Sequence, residues 1–204
     1  MHSFTPNLST LAAPQLALWP KLRPARELGM VLYGGTAVAL YCGHRQSVDF
    51  DFFGPAPLDK DGLRKALSVV STGIVAQDDV NTLSVLSQEV KLSFFGISTK
   101  ALMPAEVTED QVLVVASRLD LLSHKLKVIL QRAEAKDYKD IAVLLDSGVT
   151  LKDGLFGAQS IFGQDFPIAE AVKALTYFED GDLRGLDIPI KAKLKAEAIA
   201  ILNG

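Results

Sequence analysis

A chain of 204 residues, 49% hydrophobic and 22% charged, can bury a real core and has the length of one domain or one domain with a small appendage. Its net charge of −3 argues against bulk electrostatic binding of nucleic acid, although a local basic cleft can still grip phosphates. The single cysteine, Cys42, excludes an internal disulfide framework and a multi-cysteine zinc site. No apolar run approaches the roughly 18 residues that span a bilayer, and the N-terminal residues, lacking a basic stretch followed by an apolar one, do not read as a secretory signal. The expectation is a protein without membrane attachment, in the reducing cytoplasm.

In chain order, Pro6, Pro14, Pro20 and Pro24 predict short helical pieces over residues 1–28. Met30–Tyr33 reads as a buried strand entering a turn at Gly34-Gly35, and Thr36–Tyr41 as a short helix capped by Thr36. Ser47–Phe53 reads as a strand with Val48, Phe50 and Phe52 towards the core and Ser47, Asp49 and Asp51 on the other face. A helix over Asp61–Val70 follows, then an antiparallel meander over Ile74–Gln77, Thr82–Leu86 and Val90–Ile97.

After Val115 the period changes to three and four, with Leu119, Leu122, Leu126, Ile129 and Leu130 on one helix and Ser117 as its candidate cap. Lys136–Leu145 is a second helix, stopped by Gly148. Leu151–Ile161, Ile168–Phe178 and Ile190–Leu202 are further helical pieces, whose apolar residues read as a helical core. Strands first and helices later give an α+β class, a mixed sheet with flanking helices followed by a helical subdomain. The expected domains are 1–113, a sheet domain, and 114–204, a helical subdomain that packs on it and closes an active-site cleft.

The chemistry concentrates in Gly34-Gly35-Thr36 and, thirteen residues on, Asp49-Phe50-Asp51. Carboxylates at i and i+2 of a strand stand side by side and repel unless a cation joins them, and hard oxygen ligands favour Mg²⁺ or Mn²⁺. Two glycines let a backbone approach a triphosphate, and the amides opening the next helix can hold its oxygens. A lone Gly-Gly is usually a turn, and a lone pair of strand aspartates is usually solvated. Their succession, one short helix apart, is what suits nucleotidyl or phosphoryl transfer. A second cluster, Lys125, Lys127, Arg132, Lys136, Asp137, Tyr138 and Asp140, falls on the later helices. Lys125 and Arg132 are spaced to share a face and reach phosphates, and Asp137 or Asp140 to hold a Lys or Arg in place. Charge runs of this kind are otherwise solvated surface.

Leu32–Phe53 resembles the first motif of the AbiEii/AbiGii-type nucleotidyltransferase toxins, within the polymerase-beta-like superfamily: Gly34, Gly35 and Thr36, a short helix, then Gly43, His44, Arg45, Ser47, Asp49, Asp51 and Phe53. Asp120–Leu145 resembles the second block through Lys125, Arg132, Lys136, Asp137, Tyr138 and Asp140, and the stretch 90–95 is similar too. The resemblance spans about residues 28–147 and implies transfer of an NMP from an NTP to a macromolecular acceptor, with abortive-infection or toxin–antitoxin biology.

It implies that Asp49 and Asp51 bind Mg²⁺ or Mn²⁺ and, with Lys125 and Asp140, form the catalytic set. The nucleotide-binding set would be Gly34, Gly35, Thr36, Arg45, Ser47, Lys125, Arg132, Lys136 and Asp137. Arg45 either neutralises phosphate or pairs with an Asp; His44 reads as a turn residue and Tyr138 as packing. Implied partners are an NTP, a tRNA or protein acceptor, and a cognate antitoxin. Superfamily members with full polymerase-like activity usually carry a third carboxylate on a neighbouring strand. Here that strand reads Glu89, Val90, Lys91, Leu92, Ser93, with Ser93 or Lys91 where the acid would stand. A catalytically degenerate nucleotide- or partner-binding member is therefore the alternative.

Overall fold

The computed structural model describes residues 2–97 and 100–203. They form two compact units, one running to Ser117 and one starting at Arg118. The first holds an eight-stranded mixed sheet: β1 (Ser3–Phe4), β2 (Val31–Tyr33), β3 (Phe50–Gly54), β4 (Ile74–Asp79), β5 (Thr82–Ser87), β6 (Val90–Gly96), β7 (Glu106–Thr108) and β8 (Val114–Val115). Their order across the sheet is β1-β7-β8-β2-β3-β6-β5-β4. Pairing is antiparallel for β2–β3 and along the β4–β5–β6 meander, and parallel for β3–β6 and β2–β8.

Period-2 alternation fixes the two faces. Leu32, Phe50, Phe52, Leu83, Val85, Leu92, Phe94 and Val115 are buried on one face. Phe52 and Phe94 stack at 5.1 Å there, with Phe50 6.3 Å from Phe52 and Trp19 6.4 Å from Phe50. Each such ring contributes about 1.5–3 kcal/mol on burial, so this layer anchors the central strands. The opposite face carries Tyr33, Asp51, Ser93 and Ser84 in one row across β2, β3, β6 and β5.

The unit's helices are α1 (Ala13–Leu18), α2 (Arg23–Glu27), α3 (Gly34–Cys42), α4 (Lys60–Ala66) and α5 (Ser68–Ser71). Pro14 and Pro24 sit in the first turns of α1 and α2, where a missing N–H costs nothing, so these prolines start helices rather than break them. The single helix expected over Asp61–Val70 is two, parted at Leu67, whose φ/ψ of −109°/103° is extended. The strand expected from Ser47 begins at Phe50: Val48 is 63% exposed rather than in the core, and Asp49 precedes the ladder. The two-residue β8 lies in the sheet beside β2, so the sheet reaches residues that the sequence assigns to the helical half.

The second unit comprises α6 (Arg118–Val128), α7 (Ala135–Asp146), α8 (Leu151–Phe162), α9 (Ile168–Ala174) and α10 (Ile188–Asn203). A Cβ on Gly154 of α8 would sit 2.6 Å from Leu122 of α6, so only glycine permits the close approach of these two helices. Tyr138 packs edge-on to Phe178 at 6.1 Å, and its hydroxyl donates to the Ala174 carbonyl at 3.2 Å; burial pushes the phenol up to about 12. Among the described residues, no helix is long and apolar enough to cross a membrane.

Candidate active site

The site in the sheet unit grows from the junction of β2 with α3. Tyr33, extended at φ −120°, ψ −165°, is the N-cap; helix α3 starts at Gly34, two residues earlier than expected, and no side chain caps it. Its first amides therefore remain for a ligand. Thr36 is not the cap. Its hydroxyl instead donates to the Asp49 carbonyl, pinning the helix start to the residue before β3.

Gly34 is favoured by its left-handed backbone, and side-chain ends crowd both glycines. Gly34 has φ +74°, and a Cβ there would lie 2.6 Å from Asp51 Oδ2. A Cβ on Gly35 would collide with the Arg45 guanidinium and lie 3.1 Å from Ser47 Oγ. The first turn of α3 thus touches Asp51 directly and Asp49 through its carbonyl, with Arg45 and Ser47 closing the turn. Arg45 also donates to the Gln46 carbonyl at 2.9 Å. Five of the expected nucleotide-binding residues and the Asp51 carboxylate are brought together here, and Asp49 is joined to them through its backbone carbonyl. Gly34→Ala should cost about 1–2 kcal/mol for a left-handed alanine. It should also push the Asp51 carboxylate aside and lower metal-dependent nucleotide affinity about tenfold, roughly 1.4 kcal/mol. Thermal melting and nucleotide titration of the variant check this.

Asp51 lies in register between Tyr33 of β2 and Ser93 of β6. The position where a third acid was sought is therefore Ser93, which is 1% exposed and bonded to Ser84 at 3.2 Å. Glu89 cannot take its place, because it sits exposed in the β5–β6 turn with φ +66°. Among the described residues no group of three His, Cys, Asp or Glu side chains could hold a metal. The Asp51 carboxylate stands beside the crowded glycine turn and Asp49 lies just ahead of β3, a pair of hard oxygen donors that would suit a divalent cation whose remaining ligands come from phosphate and water.

The second cluster lies wholly within the helical unit. Lys125 Nζ is 2.7 Å from Asp137 Oδ1 and 2.6 Å from Asp140 Oδ2. Lys125 is 6% exposed and both carboxylates are fully buried. Arg132 Nε donates to Asp137 Oδ2 at 2.8 Å, and Nη2 approaches Oδ1 at 3.3 Å. Helix α6 ends at Val128, so Arg132 does not share its face with Lys125; it reaches Asp137 from the turn before α7. Lys136, exposed, pairs with Glu134 at 2.7 Å, and Glu134 also lies 3.6 Å from Arg132 Nε, at the exposed edge of the cluster. Among the described residues the Lys125 ammonium, with three donors, is held by two carboxylates.

The profile described as nucleotidyl transferase AbiEii toxin, type IV TA system, matches residues 22–182. An uncharacterized protein of Aquifex aeolicus is 33% identical over 153 residues, 73% of each chain. Among solved structures, the nucleotidyltransferase toxin MenT4 of Mycobacterium tuberculosis aligns at a TM-score of 0.61 and 14% identity, covering 94% of this chain and 83% of that one. JHP933 of Helicobacter pylori aligns at 0.59 and 17% identity, covering 94% and 93%. At these identities the two structures establish a shared fold.

Proposed function

The chain belongs to the AbiEii nucleotidyl transferase toxin family of type IV toxin–antitoxin systems, and from that membership we propose that it is a metal-dependent enzyme moving an NMP from an NTP to a tRNA or another macromolecular acceptor. The observation that carries this reading is the Gly34-Gly35 turn closed on Asp51, Arg45 and Ser47. In it, the amides opening α3 and the Arg45 guanidinium hold the triphosphate's oxygens, and Asp49 and Asp51 hold Mg²⁺ or Mn²⁺. When bound, the ion neutralises the triphosphate's charge and orients its α-phosphorus.

The acceptor hydroxyl attacks that phosphorus, the bond to the pyrophosphate oxygen breaks, and pyrophosphate leaves. Within the helical unit, the Lys125 ammonium is the candidate for binding phosphate. Asp137 and Asp140 fix the ammonium in one orientation, and Arg132 in turn fixes Asp137. Lys136, paired with Glu134, contributes positive charge at the surface rather than a buried contact. A cognate antitoxin and a cytoplasmic site of action complete the proposal.

A second reading, a member that binds nucleotide without turnover, is favoured by Ser93 standing beside Asp51. Incubation with α-labelled or γ-labelled NTP, Mg²⁺ and cellular RNA separates the readings. Label from the α position, and none from the γ position, is expected in the macromolecular fraction. Transfer of γ label would replace the reading with a kinase, and no incorporation with tight NTP binding would establish the degenerate alternative.

A further inference from the structure

We infer that Lys91 is an acceptor-binding residue, contacting a backbone phosphate next to the attacking hydroxyl of a nucleic-acid acceptor; this rests on the nucleotidyltransferase reading above. Strands β3 and β6 run parallel, with Phe50 opposite Leu92 and Asp51 opposite Ser93. By alternation from Ser93, Lys91 lies on the face that carries Asp51 and Ser93, at the end of β6 level with the start of β3, which Asp49 immediately precedes. Neighbouring strands lie about 4.8 Å apart, well within the reach of a lysine side chain. Lys91 is nevertheless exposed and, among the described residues, makes no ion pair with Asp49 or with Glu89 in the adjacent turn. Its partner across β5 is Leu86, 41% exposed, and β5 and β6 carry no other charged side chain on this face.

Position along the sheet decides what this cation meets. The order is β2, which leads into α3, then β3 with Asp51, then β6. With the β- and γ-phosphates against the first turn of α3, the leaving pyrophosphate lies on the β2 side. Attacking and leaving oxygens are roughly in line at phosphorus, so the acceptor hydroxyl arrives over β6. Two carboxylates there would repel a polyanion, in a chain whose net charge is already −3. Lys91 offsets that repulsion at the side from which the acceptor comes, and exposed Leu86 offers an apolar surface to its sugar or base.

The test uses the full chain, a fluorescein-labelled RNA of about 12 nucleotides with a free 3′ hydroxyl, and anisotropy over roughly 50 to 200 mM salt. Titration with each NTP and Mg²⁺ runs in parallel. Lys91→Gln should weaken RNA binding about fivefold and lower the salt slope by about 0.7 to 1, as loss of one phosphate contact does. The Mg²⁺-dependent NTP Kd should stay within about twofold, and Lys91→Arg should restore both RNA affinity and slope. An equal loss of NTP affinity, an unchanged RNA affinity, or a wild-type protein that binds NTP but no RNA would each overturn the assignment. A wild-type protein that binds no NTP would instead overturn the nucleotidyltransferase reading and this residue's role with it.

Discussion

In the Asp49→Asn/Asp51→Asn double variant, Mg²⁺-dependent NTP binding should weaken at least about 100-fold, equivalent to roughly 2.7 kcal/mol, while the fold persists. Asparagine preserves size and shape, so the Gly34 turn against position 51 and the bond from Thr36 to the carbonyl of position 49 remain. What disappears is the pair of negative charges that makes a divalent cation favourable at this spot. Calorimetric titration with each of the four NTPs, with and without Mg²⁺, reads the effect, and thermal melting confirms the retained fold. Unchanged metal-dependent affinity in the double variant would remove both aspartates from the site. Binding that becomes metal-independent but stays tight would leave the α3 amides and Arg45 as the whole nucleotide site.

The parts of this site that could be read in the sequence are those fixed by local geometry. A Gly-Gly between an apolar run and a short helix, followed at the right distance by alternating aspartates, follows from strand and helix periods alone. Parity along residues 89–93 puts Glu89, Lys91 and Ser93 on one face and leaves Ser93 or Lys91 for the place of a third acid; the parallel register seats Ser93 beside Asp51. Three things were not legible. The strands β1, β7 and β8 are two or three residues long, too short to show a period, and exist because long-range partners complete their hydrogen bonds. The start of α3 at Gly34 rather than Thr36 depends on a positive φ that glycine permits but does not announce. The fate of the charged run 125–140 depended on burial: a spacing of seven suggested a shared face for Lys125 and Arg132, yet the helix stops between them and a turn brings both onto Asp137. Helical spacing alone cannot tell a solvated charged face from a buried network, because the difference lies in what packs over it.

That buried network sets the second large effect. Burial pushes the Asp137 carboxyl up, but the Arg132 hydrogen bond and the Lys125 charge outweigh it, so its pKa lies below the ordinary 3.8. A carboxyl with a lowered folded pKa adds stability that is fully present above its unfolded pKa and is lost as pH falls through the folded value. The helical unit should therefore weaken on acidification starting near pH 4 and continuing below it. Asp137→Ala should be far more severe at neutral pH, because it leaves the Lys125 ammonium with Asp140 alone and strips Arg132 of its bidentate partner. Breaking a buried pair by removing one partner costs about 3–5 kcal/mol. Urea unfolding at neutral pH and near pH 3 measures both effects. Asp137→Asn distinguishes charge from shape: it should fall between wild type and alanine at neutral pH and show a smaller further loss on acidification. If wild type and Asp137→Asn lose the same stability between the two pH values, the acid sensitivity belongs to another carboxylate and Asp137 serves by packing. If Asp137→Ala costs less than about 1 kcal/mol, the network is held by Lys125 and Asp140 alone.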